Sequence, residues 1–445
     1  MIKRSLVFIL IIYSFVTNAQ TIKTDVLVIG SSASGVAAAI QCARSKVKTV
    51  LADNGLKMSG VTAGGQMVSL EMNSDIPSGI WGEFRKRVRE VYTGTAGYDT
   101  TQNAPLKFEP GMGTSVLKKI SDTVKNLTIR ADCKFTNIKK DGDRWEVTLT
   151  QNGNKLTVKA RVVVDATEDG AIATKAGGKL QDGFEDFKEK IDPKTFRTSI
   201  TAWEGMVVPT IDGHSDSIPS FPVYFIPVKA ALVQNVENIL ATRFALQYER
   251  DIRYLPLRFQ FGQGAGTIAA FCAFFKTSTR HLDVRTIQGE LLDFKGYLLP
   301  FADISQHNSS WRAVQQVGAT GMLPGKWKRY GIQLKFVFLP DSAVTTAEVE
   351  PILKEIYTRA FLWFNKEKPG EKFTVGNTLS FISEITLTEP AVLNKSMQRA
   401  WKNQYKFKSD FDINRPISRL EFTVLANKFL NPFARTVDLN GRLVN

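Results

Sequence analysis

The sequence predicts an α/β fold: a three-layer unit of parallel sheet and helices, a reduced insertion within it, and a mostly helical C-terminal part. Three observations carry this. An apolar strand runs through a glycine turn into an alanine-rich helix in "DVLVIGSSASGVAAAI", Asp25 to Ile40. A second apolar strand, Val162 to Val164, ends in Asp165-Ala166-Thr167 and a loop of small residues. From about residue 300 onward the glycine pattern stops and helix-start signals recur.

The first stretch reads as a dinucleotide-binding fingerprint. The pattern Gly-x-Gly-x-x-Gly appears as Gly30-Ser31-Ser32-Ala33-Ser34-Gly35, with a serine in the middle position. Gly30 permits the tight turn, and Gly35 lets helix and strand approach closely. The middle glycine leaves backbone N–H groups open to a pyrophosphate at the helix N-terminus. Ser32 adds only a Cβ and a hydroxyl, which weakens the pattern without voiding it. The following strand, "KTVLAD", ends at Asp53. An acid about 20 residues after the turn accepts from ribose hydroxyls and argues against a 2′-phosphate. Strand, turn, helix, strand and acid in one unit predict a bound dinucleotide.

A second glycine run, "FGQGAGTIAAFCAFF", places Gly262, Gly264 and Gly266 before an apolar stretch. It predicts either a helix N-terminus facing an anionic group, through its free N–H groups and dipole, or a helix packed closely through its glycines.

The first nineteen residues read as a cleavable leader. Lys3 and Arg4 form a basic start, Leu6 to Val16 an apolar run too short for a stable span, and Thr17-x-Ala19 the small residues of a cleavage site. A secreted or periplasmic protein is expected, with no membrane span once the leader is removed. The formal charge of +15 comes from scattered Lys and Arg rather than one basic segment, which argues against nucleic-acid recognition. Three distant cysteines and three histidines without ligand spacing predict no disulfide scaffold and no metal site.

Taken in order, these stretches resemble FAD-dependent oxidoreductases with the two-dinucleotide, glutathione-reductase-like fold. The matching segments include "GVTAGGQ", "GIWGEFRKRV", "KFEPGMGTSVLKKI", "VVVDATEDGAIATKAG" and "RYLPLRFQFGQGAGTIAAF", over much of residues 24–275. The resemblance implies FAD as cofactor and an oxidoreductase acting on a small organic molecule. Gly30, Ser31, Ser32, Ala33 and Gly35 would then cradle the pyrophosphate, and Asp53 would bind the adenosine ribose. Gly64 and Gly65 would run beside the flavin, and Ala166 and Thr167 would line the loop closing over it. Arg243 would follow the strand that leads to the ring, and Gly264, Gly266 and Thr267 would present a helix start to its pyrimidine side. The pattern's "AGR" is here "ATR", with Thr242 for glycine, and residues 179–221 are short for a substrate domain.

A flavin carries the hydride chemistry, so the protein must position substrate and tune the ring. Arg253 is a candidate carboxylate clamp and Tyr248 a candidate acid or base, with Glu249 and Gln66 expected nearby.

The expected organisation is a leader over 1–19, the FAD-binding domain over 20–284, and a helical accessory domain over 285–445. In the last, Thr345-x-x-Glu348 and Ser418-x-x-Glu421 are capping boxes at helix starts. Two such units, at about 300–362 and 380–430, resemble degenerate S-layer-homology repeats, with the signature best kept at Ser418-Arg419-Leu420-Glu421. That resemblance implies a second possibility: a non-catalytic scaffold whose repeats bind envelope glycan or a protein partner.

Overall fold

The computed structural model describes residues 20–53, 67–70, 76–101, 104–180, 196–202, 225–243, 252–330 and 333–444. The leader, Gly64, Gly65, Gln66, Tyr248, Glu249 and most of the 179–221 segment lie outside the described residues, as does the side chain of Arg253.

At the centre is a five-stranded parallel sheet. Its order is Ile239–Ala241, Val162–Asp165, Val26–Ile29, Thr49–Ala52 and Leu127–Arg130. The inner strands are continuous apolar runs because both faces are covered. Alternation within them assigns the faces. Val26, Val28, Leu51, Val162 and Val164 pack into the cluster that contains helix Ala33–Arg44. Leu27, Ile29, Val50, Ala52 and Val163 pack against Val147, Leu149, Leu156 and Val158 of a second, four-stranded sheet. Helices, parallel sheet and second sheet make the three layers.

The helix layer is built on one close pair. Helix Ala33–Arg44 lies against the long helix Leu255–Phe274, which is buried nearly all round. A Cβ on Gly262 would come within 2.1 Å of the Ser34 carbonyl oxygen, and one on Gly266 within 2.5 Å of the Ala38 carbonyl oxygen. Cys42 donates from Sγ to the Gly266 carbonyl at 3.1 Å. Residues 262 and 266 thus meet 34 and 38 in register, so the two helices run in the same direction.

The C-terminal part is mostly helical, with one hairpin, Lys326–Tyr330 with Gln333–Val337. Its internal order differs from expectation. Three capping boxes are present, at Thr345/Glu348, Thr374/Asn377 and Ser418/Glu421. The buried residue before each takes part in a closed ring of backbone hydrogen bonds. Val344 donates to Ile417, Ile417 to Phe373 and Phe373 to Val344, each at 2.9 Å. Three like-built segments thus meet at a ring, the first and last inside the two units read from the sequence and the middle one between them.

This part shares its core with the sheet domain. One apolar cluster runs from Val26 to Val437 without a break. Across the junction the fully buried Arg197 holds Glu355 through two hydrogen bonds, of 2.9 and 2.7 Å, and donates to the Thr320 carbonyl at 2.8 Å. Gln288 donates to the carbonyls of Arg197 and Ser199, and Ser199 to that of Leu298. The ribbon Ser199–Ala202 with Phe225–Pro227, which brackets part of the shortened insertion, is therefore pinned by residues from beyond position 284.

Candidate functional site

The fingerprint turn stands at the carboxyl edge of the parallel sheet, where open α/β sheets hold ligands. Gly30 has φ +108°, and a Cβ there would lie 2.4 Å from the Ala166 carbonyl oxygen. Gly35 admits no side chain either, since a Cβ would meet the Gly30 carbonyl oxygen at 2.2 Å. Both positions are thus glycine by steric necessity. Gly30 also donates to the Ala52 carbonyl at 2.9 Å, which ties the turn to the strand ending beside Asp53. Asp53 is buried there, with its own N–H on the Arg130 carbonyl.

Ser32, in place of the middle glycine, is the N-cap of helix Ala33–Arg44. Its Oγ accepts from the Gly35 N–H at 3.2 Å and lies 3.0 Å from Ser34 Oγ. The cap occupies one of the amides that a glycine would leave open. The N–H groups of Ala33 and Ser34 belong to the first turn, where amides have no acceptor within the helix. Ser31 is buried in the same turn. The cradle therefore fits a pyrophosphate, with one donor fewer than the full pattern.

Asp165 organises the neighbouring loop. Its buried carboxylate accepts from Thr167 N–H at 3.0 Å, Thr167 Oγ1 at 2.6 Å and Ala173 N–H at 2.8 Å. Burial pushes this carboxyl above the usual range, and the donors from Thr167, Ala173 and Ile172 pull against it. Ala166 donates to the Ile29 carbonyl at 2.8 Å and packs its methyl toward Gly35. Both residues expected to line the loop are thus brought beside the fingerprint, Thr167 with its hydroxyl already committed to Asp165.

Arg243 follows strand Ile239–Ala241 and is half-buried, and its Nε is buried with no hydrogen-bond partner among the described residues. The preceding Thr242 donates its N–H to the Asp165 carbonyl at 3.0 Å. Gln260, in the second turn of the long helix, is buried, and neither of its amide atoms has a partner among the described residues. Sequence reasoning missed it, since a lone glutamine in an apolar helix gives no signal.

One expectation is overturned. Gly264, Gly266 and Thr267 do not open a helix: the long helix starts at Leu255, and they lie in its middle turns. Gly266 faces helix Ala33–Arg44 and Gly264 faces Ile200, while Thr267 bonds back to the Gln263 carbonyl at 3.0 Å. Close packing selected these glycines. The helix N-terminus belongs to Tyr254, Leu255 and Pro256, with the proline in the first turn, where it costs no hydrogen bond.

Residues 25–217 match the family model of FAD dependent oxidoreductases, and that match supports an FAD cofactor and an oxidoreductase. No curated protein matches the chain. Among solved structures, p-nitrophenol 4-monooxygenase from Pseudomonas putida DLL-E4 aligns at 16% identity over 36% of this chain and 44% of that one, with a TM-score of 0.27. The rebeccamycin biosynthetic enzyme RebC with reduced flavin aligns at 15% identity over 36% of each chain, with a TM-score of 0.28. Bacillithiol disulfide reductase from Staphylococcus aureus aligns at 16% identity over 33% of this chain and 38% of that one, with a TM-score of 0.24. The chain spans less than half the length of each of these proteins.

Proposed function

We propose that this is an exported FAD-dependent oxidoreductase acting on a small organic substrate. The observation that carries the reading is the cradle: Gly30 and Gly35 are held against Ala166 and each other too closely for any side chain, at the start of a helix with open amides. The match of residues 25–217 to the FAD dependent oxidoreductases supports FAD as the group that cradle would hold.

When bound, FAD supplies the hydride chemistry. The chain's own groups supply recognition. Ala33 and Ser34 offer amides to the pyrophosphate, and Asp53 offers an acceptor to the ribose. Arg243 and Gln260 offer buried donors without partners among the described residues, and Gln260 an acceptor, to polar atoms of the cofactor or the substrate. Arg253 and Tyr248 are the candidates for substrate contact. Residues 1–19 carry the export signal in this reading.

The scaffold alternative lacks a comparable support. Arg419, in the best-kept repeat signature, is buried and bonded to the carbonyls of Leu323, Pro324 and Phe338 and to Glu348, so its guanidinium is spent inside the fold.

The test is a visible absorption spectrum of protein incubated with excess FAD and then desalted. Retention of about one flavin per chain, lost in Ser32→Trp, is the expected result. No retained flavin in the unmodified protein overturns the reading.

A further inference from the structure

The pole opposite the fingerprint carries a second feature, which rests on no assumption about the flavin. Because the two packed helices run in the same direction, their C-terminal ends, near Arg44 and Phe274, emerge together away from Gly30. Between them and helix Val284–Asp293 lies a cavity of about 390 Å³, floored by Phe271, Ile287 and Phe294. Phe274 and Phe275 project at its mouth, 60% and 56% exposed. Their rings meet edge to face at 5.1 Å, and Phe275 leans on Phe271 at 4.9 Å. Two adjacent phenylalanines held in solvent beside this cavity form a compact exposed apolar patch.

Charge at the rim narrows the partner. Arg44 is paired with Glu83 at 2.7 Å and Asp293 with Arg312 at 2.6 Å. Glu290 also lines the rim. Lys46 lines it as well, and Lys276 directly follows Phe275. Both lysines are exposed and left-handed, at φ 66° and 53°, just past their helix ends, and no ion pair among the described residues engages either. The chain as a whole carries +15. A second copy of the chain is a poor fit. The two rings expose only roughly 250 Å² between them, against about 800 Å² that each partner of a stable dimer buries. A small aromatic wedge with two exposed lysines against one half-buried acid, Glu290, matches the interface of an anionic bilayer, where aromatics sit at headgroup depth and each nearby lysine adds attraction. Among the described residues no helix is long and apolar enough to cross a membrane, so the contact would be peripheral.

We propose that Phe274 and Phe275, with Lys46 and Lys276, dock this protein reversibly on an anionic lipid surface, leaving the fingerprint pole toward solvent. The test places an environment-sensitive thiol label on Phe275→Cys in the full-length chain. The native thiols do not compete, since Cys42, Cys133 and Cys272 are buried and burial holds all three pKa values up, that of Cys272 at about 12. Phosphatidylglycerol vesicles are expected to shift the label's emission to the blue at low salt, and phosphatidylcholine vesicles to leave it unchanged. Lys46→Glu with Lys276→Glu should weaken the vesicle titration by about tenfold or more. Because the label reports its own position, attachment through residues 1–19 would not move it. An unchanged emission with anionic vesicles overturns the proposal. So does a shift that grows with protein concentration in the absence of lipid, which would assign the patch to self-association.

Discussion

Ser34 Oγ and Thr242 Oγ1 lie 2.9 Å apart, both buried, joining the first turn of the fingerprint helix to the end of strand Ile239–Ala241. Thr242 stands where the resembling pattern has glycine, and its hydroxyl has found a partner in the fingerprint itself. The departure from pattern is therefore compensated locally. Removing the Ser34 hydroxyl leaves that of Thr242 buried and unmatched, which costs about 1–3 kcal/mol, whereas removing that of Thr242 leaves Ser34 Oγ its contact with Ser32 Oγ at 3.0 Å. Ser34→Ala should lower stability by that amount in chemical denaturation, and Thr242→Val by less. The double variant should cost less than their sum, because the second change removes the orphan. Full additivity would show that the contact is not energetically coupled.

Ser32 makes the complementary case. Its side chain caps the helix by taking the Gly35 N–H, which a cofactor pyrophosphate could otherwise use. Glycine is nearly as good a cap, costing only a few tenths of a kcal/mol. Ser32→Gly should therefore fold normally and bind FAD as tightly as the natural protein or several-fold more tightly. Ser32→Trp should bind none. Flavin fluorescence titrations of the three proteins check this order. A Ser32→Gly protein that binds FAD tenfold more weakly would mean that the hydroxyl itself holds the phosphate.

These two serines show where the sequence was legible. Gly30 and Gly35 announce themselves because a local backbone approach forbids a side chain, and the strands on either side are unbroken apolar runs. The long helix was misplaced because a run of glycines looks like a loop, although Pro256 marks the first turn and the glycines serve helix packing. The third capping box escaped because Asn377 does the work that Glu348 and Glu421 do in the other two. Arg197 with Glu355 lay beyond reach altogether. They are separated by 158 positions, and no periodicity relates residues that only the folded chain brings together.

The glycines of the helix pair give a stringent test of the packing. Alanine is ordinarily better than glycine inside a helix by about 1 kcal/mol. At Gly262 the added methyl would sit 2.1 Å from backbone, which cannot move aside as a flexible side chain would. Gly262→Ala should therefore destabilise by several kcal/mol or fail to fold, against the helix propensity. At Gly289, on the neighbouring helix, nothing lies within 4 Å of an added Cβ. Gly289→Ala should be neutral or stabilising by up to about 1 kcal/mol. Thermal denaturation of the pair separates packing from propensity. A tolerated Gly262→Ala would mean that the helices are less closely apposed than described.

Acid should loosen the C-terminal part first. Glu421 is buried, which pushes its carboxyl up, but hydrogen bonds from Arg415, Ser409 and the Ser418 N–H outweigh this and leave it below the usual carboxylate range. Glu348 behaves alike: burial raises it, and the Thr345 N–H, Arg419 and Lys326 bring it down. A carboxyl with a depressed folded-state pKa contributes stability that is complete above its unfolded value, about 4.3 for Glu. That contribution is lost as pH falls through the folded value. Stability should therefore hold from neutral pH down to about 5 and decline below it. Glu421→Gln keeps the shape but removes the charge-assisted bonds to Arg415, so it should cost about 1.5–3 kcal/mol near neutrality. The variant should also show a shallower acid limb, since the group no longer titrates. Urea denaturation midpoints between pH 3 and 7 measure both effects, and parallel acid limbs in the two proteins would move the acid sensitivity away from the capping boxes.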